Sequence, residues 1–217
     1  MLISVHIPKA AGTAFREILA KRFGERLLLD YKDRPLAPGL HWRRLRQRLN
    51  RADACSGIET AYDCVHGHFV ADKYDALDKP VRHIAWLRDP VQRTISHYHY
   101  WKRMPDLRNP DCRRLIEQNL SLEEFAALPR MCNVTTRFFG GKAPRDFFFL
   151  GTVETMAESL ARFNRLTGID VDAMGAQNHD DDTTSRAEIS PTGRRVIDQL
   201  NRSDRALYDD VCELLAG

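Results

Sequence analysis

The stretch Leu2-Ile3-Ser4-Val5-His6-Ile7-Pro8-Lys9-Ala10-Ala11-Gly12-Thr13-Ala14 decides how this chain is read. The apolar run Leu2 to Ile7 reads as a strand, and Pro8 to Gly12 as a tight turn of small residues. Phe15-Arg16-Glu17-Ile18-Leu19 then reads as the start of a helix. A strand, a small-residue turn and a helix N-terminus present backbone N–H groups to an anion, here with a lysine beside them. Lys9, Ala10, Ala11, Gly12, Thr13 and Ala14 are therefore the candidate anion-binding residues. The turn is not a Walker A loop, whose lysine follows the second glycine and precedes Ser or Thr. Lys9 precedes Gly12, which suits a phosphate ligand other than the γ-phosphate and Mg²⁺ of ATP.

A second segment complements the first. Val81-Arg82-His83-Ile84-Ala85-Trp86-Leu87-Arg88 reads as a buried strand closed by Asp89-Pro90. Val91 to Trp101 reads as a helix, with Pro90 in its first turn, where a missing N–H costs little. Arg88 falls at the carboxyl end of a strand, where open α/β sheets place their ligands. Ser96 lies about two turns into the helix, so guanidinium and hydroxyl are expected to converge on one anion. Asp89 reads as a turn or cap residue, since neighbours at a strand end point apart and do not pair.

Strand-like runs recur at 2–7, 26–30, 62–66, 82–88 and 146–150. Helical patterns follow at 12–22, 42–50, 90–103, 153–167 and 191–215. Such alternation predicts an α/β fold in a single domain, residues 1–217, with a P-loop-NTPase-like parallel sheet flanked by helices on both faces. Lys102 to Pro110 and the polar run Asn178 to Arg186 read as loops.

The two anion motifs together resemble the PAPS-dependent sulfotransferases, in the branch that includes heparan sulfate 2-O-sulfotransferase and bacterial carbohydrate sulfotransferases. In that family a Pro-Lys-x-x-Gly-Thr loop holds the 5′-phosphosulfate, and an Arg-Asp-Pro-x-x-Arg-x-x-Ser segment holds the 3′-phosphate. His66-Gly67-His68-Phe69 resembles its His-x-His catalytic region. Asn133-Val134-Thr135-Thr136-Arg137-Phe138 resembles its Asn-x-x-Thr-Arg segment, and Phe147 to Glu154 its late strand ending in Gly-x-x-Glu. The likeness runs in order over roughly residues 1–165. It departs at Ala10 and Ala14, where many relatives carry hydroxyl residues. What it implies is PAPS as co-substrate, no metal requirement, Lys9 and one of His66 and His68 as catalytic residues, and Arg186 in a late loop as a phosphate clamp.

The 217 residues are 43% hydrophobic and 29% charged, the balance of a globular protein large enough for a substantial core. A net charge of +3 is a weak argument for nucleic acid and accommodates an anionic donor. No run approaches the ~20 apolar residues of a membrane span. The five cysteines are odd in number and form no Cys-x-x-Cys pair. They read as reduced thiols, and a cytoplasmic location is expected.

His66 and His68 lie two apart, so on an extended backbone both side chains face one way. A general base, a metal site and a pair of structural histidines compete. The metal reading lacks a carboxylate or cysteine at matching spacing. A base here is expected to titrate near the ordinary value of about 6.5 unless strongly desolvated. His97 to Trp101 reads more readily as core than as a sugar platform. His41 to Arg48 reads as a solvated basic face or an acceptor surface, and Arg137 serves either acceptor or fold. The acceptor is expected to be a hydroxyl compound, in particular a carbohydrate or glycolipid. The alternatives are a nucleotide kinase or phosphotransferase, against which stands the missing Gly-Lys-Ser/Thr, and a non-catalytic nucleotide-binding module.

Overall fold

The computed structural model describes residues 1–36, 55, 57–169 and 189–216. Five strands form one parallel sheet: β1 Leu2–Val5, β2 Leu27–Asp30, β3 Cys64–Gly67, β4 Arg82–Leu87 and β5 Phe149–Thr152, in the order β2-β3-β1-β4-β5. All five lie where apolar runs predict strands, and helices flank the sheet, so the chain has an α/β fold. The first and last strands differ at their ends. β1 stops at Val5, because Ile7 and Pro8 already belong to the turn. β5 begins at Phe149, because Pro144–Asp146 forms a 3₁₀ turn in which Ala143 N–H donates to the Asp146 carboxylate at 2.7 Å.

The backbone packs as two compact units, Met1–Leu87 with Thr135–Gly175, and Arg88–Val134 with Ala176–Gly217. The first holds the sheet. Its register sets Leu2, Ser4, Cys64, His66, Ile84, Trp86 and Phe149 on one face. Helices α1 (Gly12–Phe23) and α7 (Met156–Thr167) lie against that face. Phe15 of α1 meets Trp86 and Phe163 at centroid distances of 5.5 and 5.1 Å, and Phe163 of α7 meets Phe149 at 5.1 Å. The opposite face carries Ile3, Val65, His83 and Ala85, with Phe147 against His83. Helix α2 (Ile58–Ala61) precedes β3.

The second unit is helical: α3 Pro90–Arg103, α4 Pro110–Glu117, α5 Leu122–Ala126, α8 Pro191–Leu200 and α9 Arg202–Ala216. Helix α6, Val134–Phe139, leads back to the first unit. The short helices α4, α5 and α6 lie outside the periodic runs, yet two of them are announced by their caps. Asn109 accepts from Asp111 N–H ahead of Pro110, and Ser121 and Glu124 form a reciprocal capping box.

The helix expected over 191–215 is two helices. Asn201, fully buried, breaks it by turning its side chain on the backbone: Nδ2 donates to Ile197 O at 2.9 Å, and Oδ1 accepts from Asn133 N–H at 3.0 Å. His97, Tyr98 and Trp101 pack around Phe125 in the unit's apolar core, the core role that sequence favours for them. No helix among the described residues is long and apolar enough to cross a membrane. The five cysteines form no disulfide.

Candidate active site

The turn between β1 and α1 owes its shape to two left-handed residues, Lys9 at φ 68° and Ala11 at φ 56°. Residues of this handedness spaced along a turn point successive N–H groups into one concavity. Helix α1 opens at Gly12 with no side-chain cap on its N-terminus and no acidic residue in its first turn. Its first N–H groups have no intrahelical partner, and the helix dipole adds partial positive charge there. Ala10 and Ala14 are buried and bring no hydroxyl, so these two positions offer backbone donors alone. Thr13 is exposed and Lys9 half-buried.

Gly12 is required sterically. A Cβ on it would fall 1.9 Å from Cδ2 and 2.1 Å from Nε2 of His6, whose ring lies against the helix start. Position 6 thus joins the β1–α1 turn to the histidine pair. The His6 ring stacks on His66 at 5.1 Å with 24° between planes, and meets His68 edge-on at 4.5 Å. Its Nδ1 is 2.9 Å from the Tyr31 hydroxyl, and the Tyr31 ring lies 4.8 Å from His68.

The register of β1 against β3 places Ser4 opposite His66, and Ser4 Oγ is 2.8 Å from His66 Nδ1. Gly67 separates the two histidines and faces Asp30 of the neighbouring strand β2, where a Cβ would lie 1.8 Å from the Asp30 carbonyl oxygen. The spacing does bring both imidazoles to one place. Their Nε2 atoms are buried without a normal hydrogen bond among the described residues. Phe138 of α6, from the Asn-x-x-Thr-Arg stretch, stands edge-on to His68 at 6.0 Å.

Burial governs the charge of this cluster. It drives His66 down to about 3, aided by His68 and Arg16 and only partly opposed by the Gly12 backbone; it drives His68 to about 4. His6 falls to about 2, by burial first and then by the neighbouring His68, His66, Arg16 and Lys9 charges. The ordinary titration near 6.5 expected of a base here is therefore corrected: the site is desolvated, and all three rings are neutral at pH 7. No group of three or more His, Cys, Asp or Glu among the described residues is arranged to hold a metal ion.

In the second unit, Asp89 caps α3 as expected. Its Oδ1 accepts from Gln92 N–H at 3.0 Å, and its Oδ2 pairs with Arg205 at 2.6 Å. Arg88 stands half-buried ahead of that cap and Ser96 is buried on the helix. Arg93, the other arginine of the motif, is fully buried and donates to Met131 O at 3.0 Å, so it serves the fold. Asn133, at φ 50°, accepts through Oδ1 from the Ser203 and Asp204 N–H groups and caps α9. Arg186 and the basic run His41 to Arg48 lie outside the described residues.

Sequence reasoning missed Ser4, His6, Tyr31 and Arg16. Ser4 and His6 share the sheet face of His66 through the strand period of two, and that signal was available for them. Nothing local marks Tyr31 or Arg16.

No family model matches this chain, and no curated protein matches it in sequence. Among solved structures it is similar to the crystal structure of mouse sulfotransferase SULT7A1 complexed with PAP, at TM-score 0.52 and 14% identity over 99% of this chain and 86% of that one. At such identity the likeness is one of fold: this chain shares the α/β architecture of a solved sulfotransferase.

Proposed function

We propose that the protein is a sulfotransferase of P-loop-like architecture that moves a sulfuryl group from PAPS to an acceptor hydroxyl, on a carbohydrate or glycolipid, in the cytoplasm. The observation that carries this reading is the uncapped, acid-free N-terminus of α1, set beside Lys9 and packed directly against a cluster of neutral imidazoles. An anion site touching buried bases is what transfer of a negatively charged group to a hydroxyl requires. The shared fold with a PAP-bound sulfotransferase supports it.

In this reading the turn from Lys9 to Ala14 holds the 5′-phosphosulfate, while Arg88 and Ser96 hold the 3′-phosphate, with Arg186 adding to the grip. The acceptor oxygen attacks sulfur in line with the bridging oxygen. As the new S–O bond forms, the bond from sulfur to the bridging oxygen breaks and its electrons go to PAP. Lys9 and the loop N–H groups neutralise the charge that develops there, so lysine and backbone dipoles do this work without a metal.

The hydroxyl proton passes to His68. Among the two motif histidines it is the half-buried one and the less depressed, whereas His66 is engaged by Ser4 at Nδ1. A neutral imidazole is the form that can take the proton. Calorimetry with PAP in EDTA tests the donor assignment. Saturable binding of PAP is expected; tight binding of ATP–Mg²⁺ with none of PAP would favour a phosphotransferase and end this reading.

A further inference from the structure

His6 touches four things at once: the His66 ring, the His68 ring, the Tyr31 hydroxyl and the first residue of α1. Its Nδ1 is the atom facing Tyr31. The opposite edge, Cδ2 and Nε2, lies on Gly12. Nε2 therefore stands at the mouth of α1, where unpaired N–H groups of the first turn also emerge. A neutral imidazole has one N–H and one lone pair, and which nitrogen carries the proton is set by the partner of the other. The phenol is a good donor and is protonated at neutral pH, its pKa raised further by partial desolvation. Tyr31 follows Asp30, which accepts hydrogen bonds from Lys73 at 2.5 Å and Tyr74 at 2.7 Å.

We propose that the Tyr31 hydroxyl donates to His6 Nδ1, keeps the proton on Nε2, and so makes His6 Nε2–H a further hydrogen-bond donor to the anionic group held at the N-terminus of α1. Under the function proposed above, on which this inference rests, that group is the 5′ end of the donor nucleotide. His6 is then a donor-binding residue and not a second base. It adds a directed N–H without adding charge, which complements Lys9, a mobile point charge. The arrangement also accounts for two otherwise separate facts: position 12 must be glycine, and a buried histidine at the end of β1 has its remote nitrogen turned toward the helix start.

Two nucleotides separate this role from a purely structural one. PAP carries a 5′-phosphate and adenosine 3′-monophosphate does not. His6→Gln keeps an N–H near the Nε2 position, whereas His6→Asn places its amide near Nδ1 only. By calorimetry, His6→Asn is expected to weaken PAP about 10- to 100-fold, the worth of a hydrogen bond to a charged group. Adenosine 3′-monophosphate should be unaffected, and His6→Gln should keep most of the PAP affinity.

Nitrogen-15 NMR of the histidine side chains should show His6 protonated at Nε2 in the native protein. Tyr31→Phe should release that tautomer and weaken PAP in the same selective way; this variant carries the test if the His6 variants do not fold. An Nδ1–H form in the native protein, equal losses for both nucleotides, or no loss in His6→Asn would each overturn the inference while leaving the function intact. Failure of the native protein to bind PAP would overturn both.

Discussion

Replacing Gly12 with alanine isolates the contact on which the site is built. The backbone at Gly12 is in the helical region and not left-handed, so a methyl group is opposed only by what it meets. It meets His6 at 1.9, 2.1 and 2.5 Å from Cδ2, Nε2 and Cγ, closer than atoms can approach. The ring cannot step aside freely, because it is hydrogen-bonded to Tyr31 and packed on His66 and His68. Overpacking of this kind costs about 1–3 kcal/mol, and a lost hydrogen bond adds about 0.5–1.5 kcal/mol. The helical preference of alanine over glycine returns about 0.5–1 kcal/mol. The net loss expected is about 0.5–4 kcal/mol. For a chain of this size that lowers Tm by roughly 1–16 °C. Denaturant melts of the native protein, Gly12→Ala, His6→Ala and the double variant should show a coupling of at least ~1 kcal/mol, since removing the ring makes room for the methyl. A Gly12→Ala protein as stable as the native one, or strictly additive losses, would refute the packing described for His6.

Acid should destabilise the fold through the histidine cluster. His6, His66 and His68 lie at about 2, 3 and 4 when folded against about 6.5 unfolded, so their contribution is complete above pH 6.5 and is lost as pH falls toward those folded values. Each ring contributes a slope of about 1.4 kcal/mol per pH unit in that window; His68→Gln should flatten the melts by one ring, and stability that is level from pH 7 to pH 5 would refute the burial argument. Arg88→Ala is expected to weaken PAP about 10- to 150-fold while sparing adenosine 5′-phosphosulfate, which has no 3′-phosphate; equal loss for both in calorimetry would assign Arg88 to the fold. His68→Ala should cut turnover about 10²–10⁴-fold with PAP affinity held, and His66→Ala should cost less in turnover; labelled-PAPS assays giving the reverse order would move the base to His66.

The parallel sheet was legible because buried parallel strands are continuous apolar runs, and each of the five announces itself locally. The turn between β1 and α1 was legible for the same reason: a strand, a lysine, small residues and a helix are all short-range signals. Asp89 and Pro90 declared the start of α3 by cap chemistry alone. The break at Asn201 was not legible, because what ends the helix is a buried side chain bonded to Asn133, 68 residues away. The roles of residues 41–48 and Arg186 rest on sequence alone.

Sequence by itself determined the α/β fold class, the strand–turn–helix at Lys9 to Ala14 and the shared side of His66 and His68, since strand and helix periods decide which side chains share a face. Tertiary structure decided the chemistry of those side chains. A histidine's pKa depends on how much water surrounds it, and only the packed sheet buries these rings together and holds them neutral. Ser4 reaches His66 through the register of two strands 62 residues apart, and Tyr31 reaches His6 from the end of a strand that is not even adjacent to β1. Both contacts are long-range, so they follow from how the chain closes on itself and from no local pattern of residues.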